Sequence, residues 1–115
     1  MSDFWDVKRP TTHMRKLCKE LGPEYRIRVI DLEQVIYRDF GNGYNLEISG
    51  VNTTSEKKRA TLYMWWGERV IAKKIKDVPQ SEIGKRADEL CELSKKLVET
   101  NFDPEQLFRT KKLPF

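Results

Sequence analysis

The segment TLYMWWGERVIAKKI, residues 61–75, reads as two short strands around a Gly67-Glu68 turn. Successive side chains of a strand point to opposite faces. Leu62, Met64 and Trp66 therefore share one face, and Tyr63 and Trp65 share the other. A strand with one wet face alternates apolar with polar residues; this one is apolar or aromatic on both. A two-residue turn sets Trp66 opposite Arg69, Met64 opposite Ile71 and Leu62 opposite Lys73. On the other face it sets Trp65 opposite Val70, Tyr63 opposite Ala72 and Thr61 opposite Lys74. The Met64–Ile71 face, with Ile75, has an aliphatic centre and is expected beneath helices. The opposite face presents Tyr63 and Trp65 flanked by Lys74, near Arg26 and Arg28 of an earlier strand. Large exposed aromatics among polar groups mark interaction sites. The competing reading covers that face from within, by Phe4 and Trp5 or by Phe102, Leu107 and Phe108, or buries it in a homodimer.

Upstream, TTHMRKLCKEL (11–21) has Met14, Leu17, Cys18 and Leu21 at helical spacing, with Thr11 or Thr12 as the cap and Gly22-Pro23 as the stop. EYRIRVI (24–30) alternates, with Tyr25, Ile27 and Val29 on one side and Arg26 and Arg28 on the other. QVIYRDF (34–40) and YNLEIS (44–49) are strands joined by Gly41-Asn42-Gly43, a hairpin turn because positive φ is cheap at Gly and tolerated at Asn. Tyr44, Leu46 and Ile48 are expected inward, and Asn45, Glu47 and Ser49 outward. GVNTTSEKK (50–58) is a polar loop, and the next strands span 59–66 and 69–75. A longer helix follows from Ser81, its expected cap, to Thr100, with Ile83, Ala87, Leu90, Leu93 or Ser94, and Leu97 as its buried stripe. Asp103-Pro104-Glu105 predicts a short helical turn. The result is one α+β domain over residues 1–115: a four- to five-stranded antiparallel meander with an N-terminal helix and a longer C-terminal helix packed on one face. Residues 1–10 and 101–115 are expected to pack loosely, and the closing RTKKLPF is expected to fray or to pack only against a partner.

The element order is similar to that of double-stranded-RNA-binding domains, and Leu17-Cys18-Lys19-Glu20-Leu21-Gly22-Pro23-Glu24-Tyr25 resembles their first helix leading into a strand. The last helix departs from that family. After Gly84-Lys85-Arg86-Ala87 it continues with Asp88, Glu89 and Glu92, which repel phosphate, and the fourth and fifth strands are extra. The chain is not assigned to the family.

A length of 115 residues fits one domain with one core. The chain is 35% charged and carries a formal net charge of +4, which permits an acidic protein surface or nucleic acid as partner without demanding either. Cys18 and Cys91 sit in separate predicted helices without metal-ligand spacing and read as reduced thiols of a cytoplasmic protein. No stretch is long and apolar enough to span a membrane.

Catalytic groups are sparse. His13 is the one histidine, and Cys18 lies five positions on, off its face of the helix. Asp39 and Glu47 could approach across the hairpin, as a metal-dependent nuclease would require, but without the usual Glu-x-Lys spacing beside them. Gly41-Asn42-Gly43 has no following helix and is not a phosphate loop. No cofactor or metal is implied. Lys57, Lys58, Arg59, Lys73, Lys85 and Arg86 are the residues available to contact phosphates, with Tyr63 or Trp65 stacking on bases.

The expectation is therefore a small non-catalytic protein that binds a protein or nucleoprotein partner through Tyr63, Trp65, Lys74, Arg26 and Arg28. By analogy of size and character it is of an accessory or inhibitor type, such as phages and mobile elements direct against host defence nucleases. The second reading is direct binding of RNA or single-stranded DNA on the same basic, aromatic face.

Overall fold

The computed structural model describes residues 7–115. Helix α1 (Thr12–Leu21) begins where Thr11 Oγ1 accepts the Met14 N–H at 3.1 Å. It ends at Gly22, whose φ of 127° suits a residue without Cβ. Five strands follow: β1 (Arg26–Ile30), β2 (Glu33–Asp39), β3 (Tyr44–Ser49), β4 (Ala60–Trp66) and β5 (Val70–Val78). They pair in chain order, each antiparallel to the next, as a five-stranded meander. Helix α2 (Ile83–Glu99) and a short 3-10 turn (Pro104–Phe108) complete the α+β fold. Among the described residues no helix is long and apolar enough to cross a membrane.

The Gly41-Asn42-Gly43 hairpin forms as its composition predicts, with φ of 77° at Gly41 and 95° at Gly43. Asp39 Oδ1 accepts the Gly41 N–H, and Asn42 Oδ1 accepts the Tyr44 N–H. Gly43 has a second constraint: a Cβ there would fall 2.1 Å from the Trp66 ring.

One sheet face carries the core. Ile36, Tyr44, Leu46, Ile48, Leu62 and Met64 are fully buried there together with Met14 of α1 and Ile83, Ala87, Leu90 and Leu97 of α2. The expected stripe of α2 is thus the buried one, with Ser94 rather than Leu93 in it and Cys91 added. The start of that helix differs from expectation. Ser81 lies in a 3-10 turn, Gln80–Glu82, and Glu82 holds the cap position without a side-chain bond. Pro79 fixes the chain there in an extended conformation, so the first turn winds tightly before α2 proper begins.

Arg38 fastens α2 to the sheet from the core side. Its side chain is 17% exposed and pairs with Asp88 at 3.2 Å. The same guanidinium donates to Tyr25 Oη at 3.1 Å and to Cys91 Sγ at 3.7 Å. It also lies 5.3 Å from the ring centres of both Tyr25 and Phe40.

The β4–β5 connection corrects the two-residue turn. Trp66 pairs with Val70, leaving Gly67-Glu68-Arg69 as the loop, and bulges fall near Leu62 and between Met64 and Trp65. Ile71 therefore stands opposite Trp65, not Met64, and is 40% exposed. Tyr63 pairs with Lys74 and Leu62 with Ile75. Gly67 adopts a φ of 56°, a conformation that shifts the pairing by one residue. After α2, Phe102 and Leu113 pack against the helix-side core, Leu107 is buried, and Lys96 lies 4.5 Å above the Phe115 ring. Phe102 thus serves the helix side rather than the Tyr63–Trp65 face. The suggested cover by Phe4 and Trp5 lies outside the described residues.

The register yields a test. Leu62→Ala should cost about 3 kcal/mol as a fully buried truncation, whereas Ile71→Ala should cost less than about 1 kcal/mol. Urea unfolding measures both. Equal, large losses would restore Ile71 to the core.

Candidate functional site

The second face of the sheet carries one row of side chains across all five strands. Arg26 of β1 stands opposite Tyr37 of β2, Tyr37 opposite Glu47 of β3, Glu47 opposite Tyr63 of β4, and Tyr63 opposite Lys74 of β5. Directly opposed residues share a face, so the row runs cation, aromatic, carboxylate, aromatic, cation. Trp65 sits one pair further along β4, opposite Asn45 and Ile71, and Arg28 lies opposite Val35. All five residues expected from sequence to meet a partner therefore lie on one face. The end cations fold over the rings beside them. The Arg28 guanidinium carbon is 4.4 Å and that of Arg26 5.2 Å from the Tyr37 ring centre, and Lys74 Nζ is 5.2 Å from that of Tyr63.

Glu47 is the unusual member. Strand alternation points it away from the core, yet it is only 8% exposed. The Trp65 indole Nε1–H donates to its Oε1 at 3.1 Å. Burial pushes its carboxyl above the ordinary glutamate range; the indole hydrogen bond pulls the other way, and the neighbouring Glu33 and Asp31 carboxylates push it further up. Among the described residues Glu47 belongs to no ion pair, and its Oε2 accepts no hydrogen bond.

Around Glu47 the sheet closes into a pocket of about 270 Å³. Arg28, Ile30 and Asp31 line it from β1 and the turn after it; Tyr37, Asn45 and Glu47 form its floor; Trp65, Gly67 and Glu68 line it from the far side. Groups from the edge strand and from the β4–β5 turn meet over the central strands only if this face is concave. Bulges increase local twist and bend a strand, and β4–β5 has two irregular positions. Asn45 Nδ2 holds the turn in place by donating to the Gly67 carbonyl at 2.9 Å. On the β1 side, Asp31 and Leu32 both have positive φ, 51° and 65°, an arrangement that costs L-residues energy and lets β1 return directly into β2.

The six residues considered for phosphate contact lie elsewhere, and none lines the concave pocket. Lys57 and Arg59 border a groove of about 590 Å³ between α1 and the loop before β4, together with His13, Lys16, Glu20 and Glu56. Lys58 lines a separate recess with Lys8 and Gln34. Lys73 is exposed on β5 opposite Met64, Lys85 is exposed on α2, and Arg86 pairs with Glu89 at 3.2 Å.

The groups weighed for catalysis are engaged individually. His13 Nε2 is 2.6 Å from Gln80 Oε1. Cys18 and Cys91 are buried in the two helices, and burial pushes the Cys18 thiol up. Asp39 stands opposite Asn45 and is held by the Gly41 N–H, while Glu47 faces Tyr37 and Tyr63. Among the described residues no group of three or more His, Cys, Asp or Glu side chains is clustered to hold a metal ion.

Sequence reasoning passed over Tyr37 and placed Glu47 outward, weighing it only as a carboxylate that could meet Asp39. The signal was present: a hairpin centred on Asn42 sets Tyr37 opposite Glu47 by count alone. Asp31 and Glu68 carried no such signal, because only curvature of the sheet brings them to the pocket.

Because its carboxyl is raised in the fold, Glu47 disfavours the folded state when charged, and that penalty fades as pH falls through its folded pKa. Glu47→Gln keeps a carbonyl acceptor for the indole and removes the charge. Urea unfolding should find this variant more stable than the parent at pH 7, with the difference shrinking as pH falls to about 4, near the ordinary glutamate pKa. A variant less stable at pH 7 would mean that the charge supports the fold. In comparisons with known proteins, no family model, no curated protein and no solved structure matches this chain.

Proposed function

We propose that this chain is a binding protein without chemistry of its own, docking a protein partner on the concave sheet face and acting, as accessory or inhibitor proteins do, by occupying that partner's surface. The observation that supports this reading most is Glu47: a largely buried carboxylate beside the half-buried Trp65, with no cation paired to it among the described residues, on a face that also carries the buried Tyr37 and the half-buried Tyr63. Buried charges are costly to a fold unless paired, and perturbed carboxyls gather at functional sites. A standard interface takes about 800 Å² from each partner, which one sheet face of this size can offer. Trp65, Tyr63 and Arg28 are of the residue types that anchor such interfaces.

Direct nucleic-acid binding has less support on this face. Asp31, Glu47 and Glu68 all line the pocket against the single guanidinium of Arg28, and carboxylates there repel phosphate. Two measurements test the reading together. Labelled single- and double-stranded DNA and RNA, followed by fluorescence anisotropy, should show no binding to the chain at about 150 mM salt, where nonspecific phosphate contacts weaken. Immobilised protein should retain a partner from extract of its source cells, and Trp65→Ala should lose that partner while its circular dichroism and unfolding midpoint stay close to the parent's. Oligonucleotide binding that survives at that salt concentration, or a Trp65→Ala variant that unfolds or retains the partner, would overturn it.

A further inference from the structure

We infer that the concave pocket receives a cationic side chain of the partner protein, an arginine before a lysine, seated against Glu47 and Trp65. This rests on the proposed docking face and names the chemistry that face selects. The pocket is lined by three acidic residues, Asp31, Glu47 and Glu68, and by one basic residue, Arg28. That surplus of two negative charges lies within about 270 Å³, which suits one long side chain and is below the usual range for small-molecule and cofactor sites.

The state of Glu47 adds a second, independent observation. The residue is more than nine-tenths buried, one oxygen is held by the Trp65 indole, and the other accepts no hydrogen bond among the described residues. An approaching cation would supply what this carboxylate lacks, and charge-assisted hydrogen bonds are the strong ones. The aromatic walls fit the same occupant. Tyr37 already carries the chain's own cations, Arg28 and Arg26. Among the described residues no cation lies over Trp65, so its ring is the wall left for a guest. A planar guanidinium forks onto a carboxylate and stacks on an indole, whereas an ammonium is a more strongly hydrated point charge. That difference sets arginine before lysine.

The probes are N-acetyl-arginine amide, N-acetyl-lysine amide and, as the uncharged isostere, N-acetyl-citrulline amide. Each is titrated into the full chain at low salt and followed by the Trp65 indole N–H resonance in proton–nitrogen NMR. The arginine amide should shift that resonance saturably and more tightly than the lysine amide, and the citrulline amide should leave it in place. Glu47→Gln should weaken the arginine amide at least tenfold, the scale of one charge-assisted hydrogen bond. Glu68→Gln, an exposed change away from the core, should weaken it by a smaller factor. A resonance unmoved by either cation, moved equally by citrulline, or moved equally in Glu47→Gln would overturn the inference. The parent reading fails separately. A pocket that takes arginine in a chain that retains no protein partner would defeat protein docking alone; a partner lost with Trp65→Ala from a pocket that refuses cations would defeat the cationic guest alone.

Discussion

β3 and β4 pair from Tyr44–Trp66 to Ser49–Thr61, and that ladder supports both layers of the molecule. Alternate pairs turn opposite ways. Leu46–Met64 and Ile48–Leu62 go under the helices and are fully buried. Asn45–Trp65 and Glu47–Tyr63 go to the concave side, where Asn45, Glu47 and Trp65 line the pocket. Core and candidate site are thus the two sides of one strand pair. A slip of one residue in this register would send the aromatics into the core and the aliphatics to the pocket.

Two charged side chains on the central strands are withdrawn from water, and they behave oppositely. Arg38, on the helix side, has partners: Asp88 pairs with it, Tyr25 accepts from it, and two aromatic rings flank it. Such an arrangement joins α2 to β2 and explains itself as structure. Glu47, on the concave side, has one neutral donor and carboxylate neighbours that disfavour its charge. The proposed binding role would account for it, because a partner's cation would pair with a carboxylate that has none among the described residues.

Curvature turns a flat ladder into a pocket. The sharp return at Asp31-Leu32, the bulges of β4–β5 and the Asn45–Gly67 hydrogen bond each bend or pin an end of the sheet. Together they bring Asp31 and Glu68 toward a floor set by strands between them. The bulged register also carries Ile71 out of the core to stand beside Trp65, extending the apolar surface at the pocket's edge.

Much of this was legible in residue order. Alternation in 24–30 and 44–49, the apolar run at 60–66, the Gly41-Asn42-Gly43 turn and the spacing of Ile83, Ala87, Leu90 and Leu97 specify a meander under two helices, because strand and helix periods are local properties of the chain. The same alternation put Arg26, Arg28, Tyr63, Trp65 and Lys74 on one face. Three features were not legible. The loop at 67–69 differs from a two-residue turn by one residue, and the choice depends on the φ of Gly67 and on which register buries more. The turn at 31–32 has no glycine to announce it, since positive φ at Asp and Leu is imposed by the strands on either side. The burial of Glu47 depends on how far the sheet bends, which is a sum over all five strands. Periodicity assigns a side chain to a face; only the curvature of the assembled sheet determines whether that face is open to water or folded around a carboxylate.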